Sequence, residues 1–184
     1  MTDFKQNILR PGLVLFAIAA VAAVCLGVVY EVTKGPIAAE QARATAAAMA
    51  ELLPQAKDFD EQDMPLTGAI SAVTVGYYSE GVAGVIVKVA PKGFSDKIEM
   101  LVAIRDGAVA GIKIVKQTET PGLGANAAGK EFGARFVGKR GQLAVTKSDS
   151  TAENEIQAIT SATITTRAVV DGVNEALAFY NSNF

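Results

Sequence analysis

Two short segments of this 184-residue chain contain the residue types that could do chemistry. The first, Thr160–Thr166, holds five hydroxyl side chains in seven residues, just ahead of a predicted helix. Hydroxyls at a helix start commonly cap it, but the free N–H groups and the positive end of the helix dipole there also favour a phosphate. The small Ser161 and Ala162 would let a bulky phosphorylated group reach the Thr163 hydroxyl. Periodicity does not choose among these hydroxyls, so capping and phosphate attachment both stay open.

The second segment is Glu119–Gly124, with the sequence ETPGLG, directly after a predicted strand. Pro121 followed by Gly122 fits the middle of a type II turn, because Pro fixes φ and Gly accepts a positive φ. A bare turn accounts for this pattern without any function. The alternative is that the glycines let the backbone approach a flat ligand closely.

Composition narrows the chemistry further. The chain has no histidine and one cysteine, Cys25, which excludes His-based acid–base catalysis, Ser-His and Cys-His nucleophiles, zinc and iron–sulfur ligation and an internal disulfide. Cys25 itself is expected to pack as a small apolar residue. With 17 Lys and Arg against 19 Asp and Glu, the chain lacks the basic surface that nucleic acid requires. Reactivity must therefore come from a cofactor or from hydroxyls, carboxylates and backbone, with no metal and no catalytic side chain expected.

An apolar run, LVLFAIAAVAAVCLGVVY at residues 13–30, predicts a membrane anchor. About 18 helical residues span about 27 Å, close to the roughly 30 Å of bilayer hydrocarbon. Lys5 and Arg10 precede the run, which favours a cytoplasmic N-terminus. A cleaved signal peptide is the alternative, but the segment VVYEVTK offers no small-residue cleavage site. We therefore predict a cytoplasmic tail at 1–12, a transmembrane anchor at 13–33 and an extracytoplasmic domain at 34–184.

The outer domain is predicted to place both segments on an α+β fold with a mainly antiparallel sheet and flanking helices. A helix of strong helix formers is predicted over Ile37–Leu53, with Pro36 at its start and Pro54 ending it. An acidic connector, DFDEQDMP, follows. Asp106-Gly107 between apolar runs is a strong hairpin signal. The predicted strands are 72–78, 82–90, 98–104 and 109–116, with a short helix at 130–136, a further strand at 143–145 and an amphipathic helix at 165–180.

Taken together, ETPGLG at 119–124 and AITSATIT at 158–165 resemble the FMN-binding domain of the G subunit of the Rnf electron-transport complex. The related C subunit of the sodium-translocating NADH:quinone reductase shares this domain. The resemblance covers essentially the whole chain, including the anchor and a Gly-Phe-Ser stretch at 93–95. It implies a single-pass inner-membrane subunit with its domain on the periplasmic side. Such a subunit carries electrons within an ion-translocating ferredoxin/NAD oxidoreductase complex and turns over no substrate alone.

In that family, a separate flavin transferase moves FMN from FAD onto the last Thr of a (Ser/Thr)-Gly-Ala-Thr motif, forming a phosphoester. The resemblance therefore implies covalent FMN on Thr163. It also implies a set of residues around the cofactor, in which the ring is lined by Thr120, Leu123 and Gly124, the phosphate is supported by Thr160 and Thr165, and the site is completed by Glu119, Ser161 and Ala162. The implied partners are the transferase and the other membrane and redox subunits.

Two positions depart from the family pattern, and two other functions stay open. The usual Gly is Ser161, which is tolerable if its φ is negative, and an Asp often found six residues before the acceptor is Gln157. One alternative is the quinone-reductase C subunit, although those chains are usually longer between anchor and flavin domain. The other is a non-redox, membrane-anchored scaffold in which the TSAT segment only caps a helix.

Overall fold

A computed structural model describes residues 2–79, 81–148 and 152–184 of the chain. The chain divides into two compact units, Met1–Arg43 and Ala44–Phe184. Helix α1 (Thr2–Leu52) makes up the first unit and continues into the second.

Helix α1 is long and apolar enough to cross a bilayer, judged by its length and composition. The side chains of residues 13–30 are all exposed, as expected of a segment whose surroundings are lipid. It is the one such helix in the part of the chain that the structure describes, and it fits a single-pass membrane anchor. The predicted helix start at Pro36 is wrong, because α1 runs through that residue. An interior proline costs about 3 kcal/mol. The helix continues through Pro36 because strong helix formers follow that residue and an apolar helical segment precedes it.

The second unit is built on a five-stranded antiparallel sheet in the order β1-β2-β3-β4-β5. Two short strands, β6 and β7, form a separate parallel pair. The remaining helical elements are a 3-10 turn, a short helix α2 and the C-terminal helix α3. The bounds are β1 (Asp58–Glu61), β2 (Ile70–Tyr78), β3 (Gly81–Val89), β4 (Glu99–Arg105), β5 (Ala108–Lys116), the 3-10 turn (Gly124–Ala128), α2 (Lys130–Ala134), β6 (Ala144–Thr146), β7 (Glu155–Gln157) and α3 (Thr163–Asn183).

Turn chemistry explains the hairpin that the sequence predicted between β4 and β5. Asp106 and Gly107 have φ values of 54° and 72°, so both central residues are left-handed, as a type I′ turn requires. The prediction of a connector at residues 58–65 is wrong in part, because β1 occupies its first four residues and pairs with β2. Charged side chains are typical of an exposed edge strand, and they leave β1 without the apolar run that predicts a strand. In the predicted Ser79–Gly81 turn, Glu80 lies outside the described residues.

Helices cover both faces of the sheet, and the packing of α3 on one of these faces fixes its position. On one face, Val169, Val173 and Leu177 of α3 pack into a core with buried strand residues such as Val87 and Val102. On the other face, the last turns of α1 pack over a smaller core of Ala48, Leu53, Ile86, Leu101 and Ala103. Burial on both faces explains why β4 is apolar almost throughout rather than alternating. The first turn of α3 is thereby held close to the segment that follows β5.

Candidate functional site

One cleft of about 320 Å³ brings together the loop between β3 and β4, the segment after β5 and the first turn of α3. Its volume lies within the range of about 300–1,000 Å³ that ligand sites occupy. The lining residues are Phe94, Glu119, Thr120, Leu123, Gly124, Ser161, Ala162, Thr163, Ile164 and Thr165. Every predicted site residue therefore lines this cleft except Thr160, which lines a neighbouring one.

The hydroxyls of residues 160–166 differ in their hydrogen bonds, a difference that periodicity does not predict. Thr165 is buried, and its Oγ1 donates to Glu119 Oε2 at 2.5 Å. Thr166 is also buried; its Oγ1 donates to the Ala162 carbonyl at 3.0 Å and accepts the Ile159 N–H at 3.1 Å. Thr163, in contrast, is half-buried on the cleft wall, and its hydroxyl has no hydrogen-bond partner among the described residues. Thr163 and Ser161 thus both present hydroxyls without a partner among the described residues to the cleft, and of the two only Thr163 lies in the first turn of α3.

Helix α3 begins without a side-chain cap. Its N-cap residue is Ala162, and within the described ranges no side chain caps the first turn. The interpretation of the hydroxyl run as a simple helix cap is therefore wrong. The N–H groups of the first turn have no intrahelical carbonyl to bind, and together with the helix dipole they favour an anion at this end.

Ser161 has a left-handed backbone, with φ at 62°. The condition under which Ser161 was expected to be tolerated, a negative φ, is therefore not met. Ile159 and Ala162 close a tight turn around this residue, because the Ala162 N–H donates to the Ile159 carbonyl at 3.0 Å, and Thr166 holds both ends of that turn. A turn fixed in this way leaves Ser161 the conformation that glycine adopts most easily.

The ETPGLG segment forms the predicted type II turn. Gly122 has φ at 77°, and the Leu123 N–H donates to the Thr120 carbonyl at 3.1 Å, closing the turn around Pro121. The turn prediction is confirmed. It leaves the Leu123 side chain exposed at the cleft.

Glu119 is a buried carboxylate that joins the three walls of the cleft. Its Oε1 accepts the Ser95 N–H at 3.0 Å, and its Oε2 accepts the Thr165 hydroxyl. Gly93 and Gly124 pack directly on it: a Cβ atom at either position would lie 2.6 Å from a Glu119 carboxylate oxygen. A side chain at either position would force the Glu119 carboxylate to move, so glycine lets the walls approach each other closely.

Three residues that shape the site were not predicted from the sequence. Phe94 and Ile164 are exposed apolar side chains on the cleft, and with Leu123 they form an apolar rim around Thr163. Thr166 fixes the turn before α3. Phe94 was detectable as part of the Gly-Phe-Ser stretch, whereas the Thr166 bonds depend on the folded turn. An apolar rim beside a free hydroxyl and an uncapped helix start fits a ligand with a flat ring at one end and a phosphate at the other.

A second, larger cleft of about 860 Å³ adjoins the first, and Leu123 and Ser161 line both. Thr160 and Gln157 belong to this neighbour. Arg135 donates from Nη1 to the Gln157 carbonyl at 2.7 Å, and its guanidinium lies 5.5 Å from the centre of the Phe132 ring. Arg135 thus ties α2 to strand β7, which leads into the turn that carries Thr163.

Comparison with known proteins places both units in families. Residues 93–178 match the FMN-binding domain, and residues 1–52 match the RnfG N-terminal region. The G subunit of the Na⁺-translocating ferredoxin:NAD⁺ oxidoreductase complex of Acetobacterium woodii is 36% identical, over 98% of this chain and 94% of that protein. The G subunit of the ion-translocating oxidoreductase complex of Methanosarcina acetivorans is 32% identical, over 99% of this chain and 98% of that protein.

Solved structures show a similar fold. NqrC of Shewanella oneidensis has a TM-score of 0.53 and 18% identity, over 70% of this chain and 71% of that one. The C subunit of the Na⁺-translocating NADH-quinone reductase of Parabacteroides distasonis has a TM-score of 0.55 and 19% identity, over 68% of this chain and 76% of that one. The predicted α+β fold with flanking helices is confirmed. The likeness to the C subunits is one of fold, whereas the likeness to the G subunits extends through the aligned sequence.

Proposed function

The chain belongs to the family of G subunits of ion-translocating oxidoreductase complexes, and from this premise we propose that its outer domain carries FMN covalently, as a phosphoester of Thr163. The protein is then a membrane-anchored electron carrier of an ion-translocating ferredoxin:NAD⁺ oxidoreductase complex. One observation carries the choice of acceptor: Thr163 offers a hydroxyl with no partner among the described residues, at the uncapped start of α3 and on the wall of the cleft.

The residues of the cleft divide the work of holding such a cofactor. When bound, FMN supplies reversible uptake and release of electrons. The Thr163 oxygen would hold the phosphate end, and the first-turn N–H groups of α3 would stabilise its charge by about 0.3–1 kcal/mol. The apolar rim of Phe94, Leu123 and Ile164, which lines the cleft, would hold the ring end. A covalent bond keeps the cofactor in place in every redox state.

Two residues predicted to support the phosphate take other positions in this proposal. Thr165 donates its hydroxyl proton to Glu119, so we assign it to positioning the start of α3. Thr160 lines the neighbouring cleft, and a direct role at the phosphate is not part of the proposal.

We also propose how the protein is oriented in the membrane and how it acquires its FMN. Helix α1 holds the chain in the inner membrane, and Arg10 before the apolar run favours a cytoplasmic N-terminus with the flavin domain on the periplasmic side. A separate flavin transferase attaches FMN, and the remaining membrane and redox subunits of the complex exchange electrons with it.

Flavin fluorescence on a denaturing gel tests the acceptor. The chain is produced in a host that carries a flavin transferase, with Thr163→Val beside Ser161→Ala and Thr160→Ala as matched removals of neighbouring hydroxyls. We expect fluorescent bands for the wild type and both controls and a dark band for Thr163→Val, with circular dichroism showing that every variant folds. A fluorescent Thr163→Val band with a dark Ser161→Ala band would move the acceptor to Ser161. A dark wild-type band would contradict the proposal.

A further inference from the structure

The Glu119 carboxylate has no role in the attachment just described. It is 5% exposed, yet it lines the cleft. Both of its oxygens accept hydrogen bonds, from the Ser95 N–H and the Thr165 O–H, which is the pattern of an ionised carboxylate. Among the described residues, no Lys or Arg forms an ion pair with it; the ion pairs present involve Glu31, Glu51 and Glu99. The cleft wall therefore holds a negative charge that no cation neutralises.

We propose that Glu119 sets the redox potential of the flavin as well as the shape of its cleft, an inference that depends on the proposed function. A negative charge beside a redox group disfavours the addition of electrons, so the carboxylate lowers the potential. Its burial weakens solvent screening and makes the effect larger than that of a surface carboxylate. The hydrogen bonds to Ser95 and Thr165 fix the charge in one place.

The negative charge of Glu119 can be removed while the shape of the cleft is kept. In Glu119→Gln, the amide oxygen can still accept the Ser95 N–H. The amide NH₂ can donate to Thr165 Oγ1, because a hydroxyl accepts as well as donates. Both hydrogen bonds between the cleft walls are kept, and only the negative charge is lost.

Glu175 provides a matched control on the same helix as Thr165. Its Oε1 accepts the Ala69 N–H at 2.7 Å, and Gly68 packs against its carboxylate as Gly93 and Gly124 pack against Glu119. It lines a different cleft, between the end of α3 and the segment before β2. Glu175→Gln therefore removes a charge of the same kind, with similar local packing, away from the flavin site.

A redox titration of the purified, full-length flavinylated chain tests the proposal. We expect Glu119→Gln to shift the equilibrium toward reduced flavin about tenfold, which is about 30 mV for a two-electron couple. Glu175→Gln should leave the potential near that of the wild type. Thr165→Val keeps the carboxylate but removes the hydroxyl proton that partly offsets its charge, so its potential should move the opposite way, to more negative values.

Opposite signs distinguish a charge effect from a general disturbance of the cleft. Equal potentials in Glu119→Gln and Glu175→Gln, or shifts of Glu119→Gln and Thr165→Val in one direction, would overturn the proposal. If Glu119→Gln does not fold, Thr165→Val decides, because a potential at or above that of the wild type overturns it. A wild type without flavin refutes the proposed function instead, whereas flavinylated wild type with unshifted variants refutes only the role of Glu119.

Discussion

Ser161 stores strain in the turn before α3, and replacing it with glycine should release that strain. A left-handed residue other than glycine costs about 1–2 kcal/mol, and Ser161 has φ at 62°. Glycine adds about 0.4–1 kcal/mol of entropy to the unfolded chain, which offsets part of the gain. We therefore expect Ser161→Gly to raise the free energy of unfolding by about 0.5–1 kcal/mol. For a chain of this size, the midpoint of thermal unfolding should rise by about 1–4 °C.

The assay is thermal unfolding of the purified protein in detergent, followed by circular dichroism, with Ser161→Ala as the control. Alanine removes the hydroxyl but keeps the Cβ atom, so it should give no stabilisation. If Ser161→Ala stabilises as much as Ser161→Gly, backbone strain is excluded as the cause, because the hydroxyl would then account for the gain. Ser161→Gly should also keep its flavin, because the acceptor in the proposal is Thr163.

Two further substitutions test packing and charge elsewhere in the domain. In Gly124→Ala, the new Cβ would lie 2.5 Å from Thr165 Oγ1, so thermal unfolding should show a loss of about 1–3 kcal/mol; wild-type stability would contradict this close approach. At Glu99, partial burial raises the pKa, but the ammonium groups of Lys88 and Lys116 outweigh it, so the pKa is lowered from 4.5. Glu99 therefore stabilises the fold above about pH 4.5 and loses that contribution as pH falls through its lowered folded pKa. Glu99→Gln should cost about 0.5–1 kcal/mol at pH 7 and nothing in strong acid, and an equal cost at both pH values in denaturant titrations would contradict this.

The sequence predicted those elements whose signals are local. Asp106-Gly107 determines its own turn, and the apolar runs on either side of it become β4 and β5. Strand β1 was missed because its pairing with β2, rather than any apolar pattern of its own, makes it a strand. The continuity of α1 through Pro36 was missed because the cost of one proline is local, while helix propensity acts over the whole segment.

The sequence predicts which residues form the site but not the hydrogen bonds that join them. The two motifs contain most of the residues that line the cleft, and the family resemblance implies Thr163 as the FMN acceptor. The hydrogen bond from Thr165 to Glu119 joins residues 46 positions apart, and no spacing rule reports such a pair. The left-handed φ of Ser161 follows from the bonds that Thr166 makes, which exist only in the folded turn. The backbone and long-range polar contacts of a site therefore need the structure.

The intact mass of the full-length protein, purified from cells that contain a flavin transferase, tests the covalent bond most directly. A chain that carries one cofactor should weigh more than the bare polypeptide by one FMN less one water, and fragmentation should locate the increment on Thr163. A mass equal to that of the polypeptide alone, or an increment on another residue, would contradict the account.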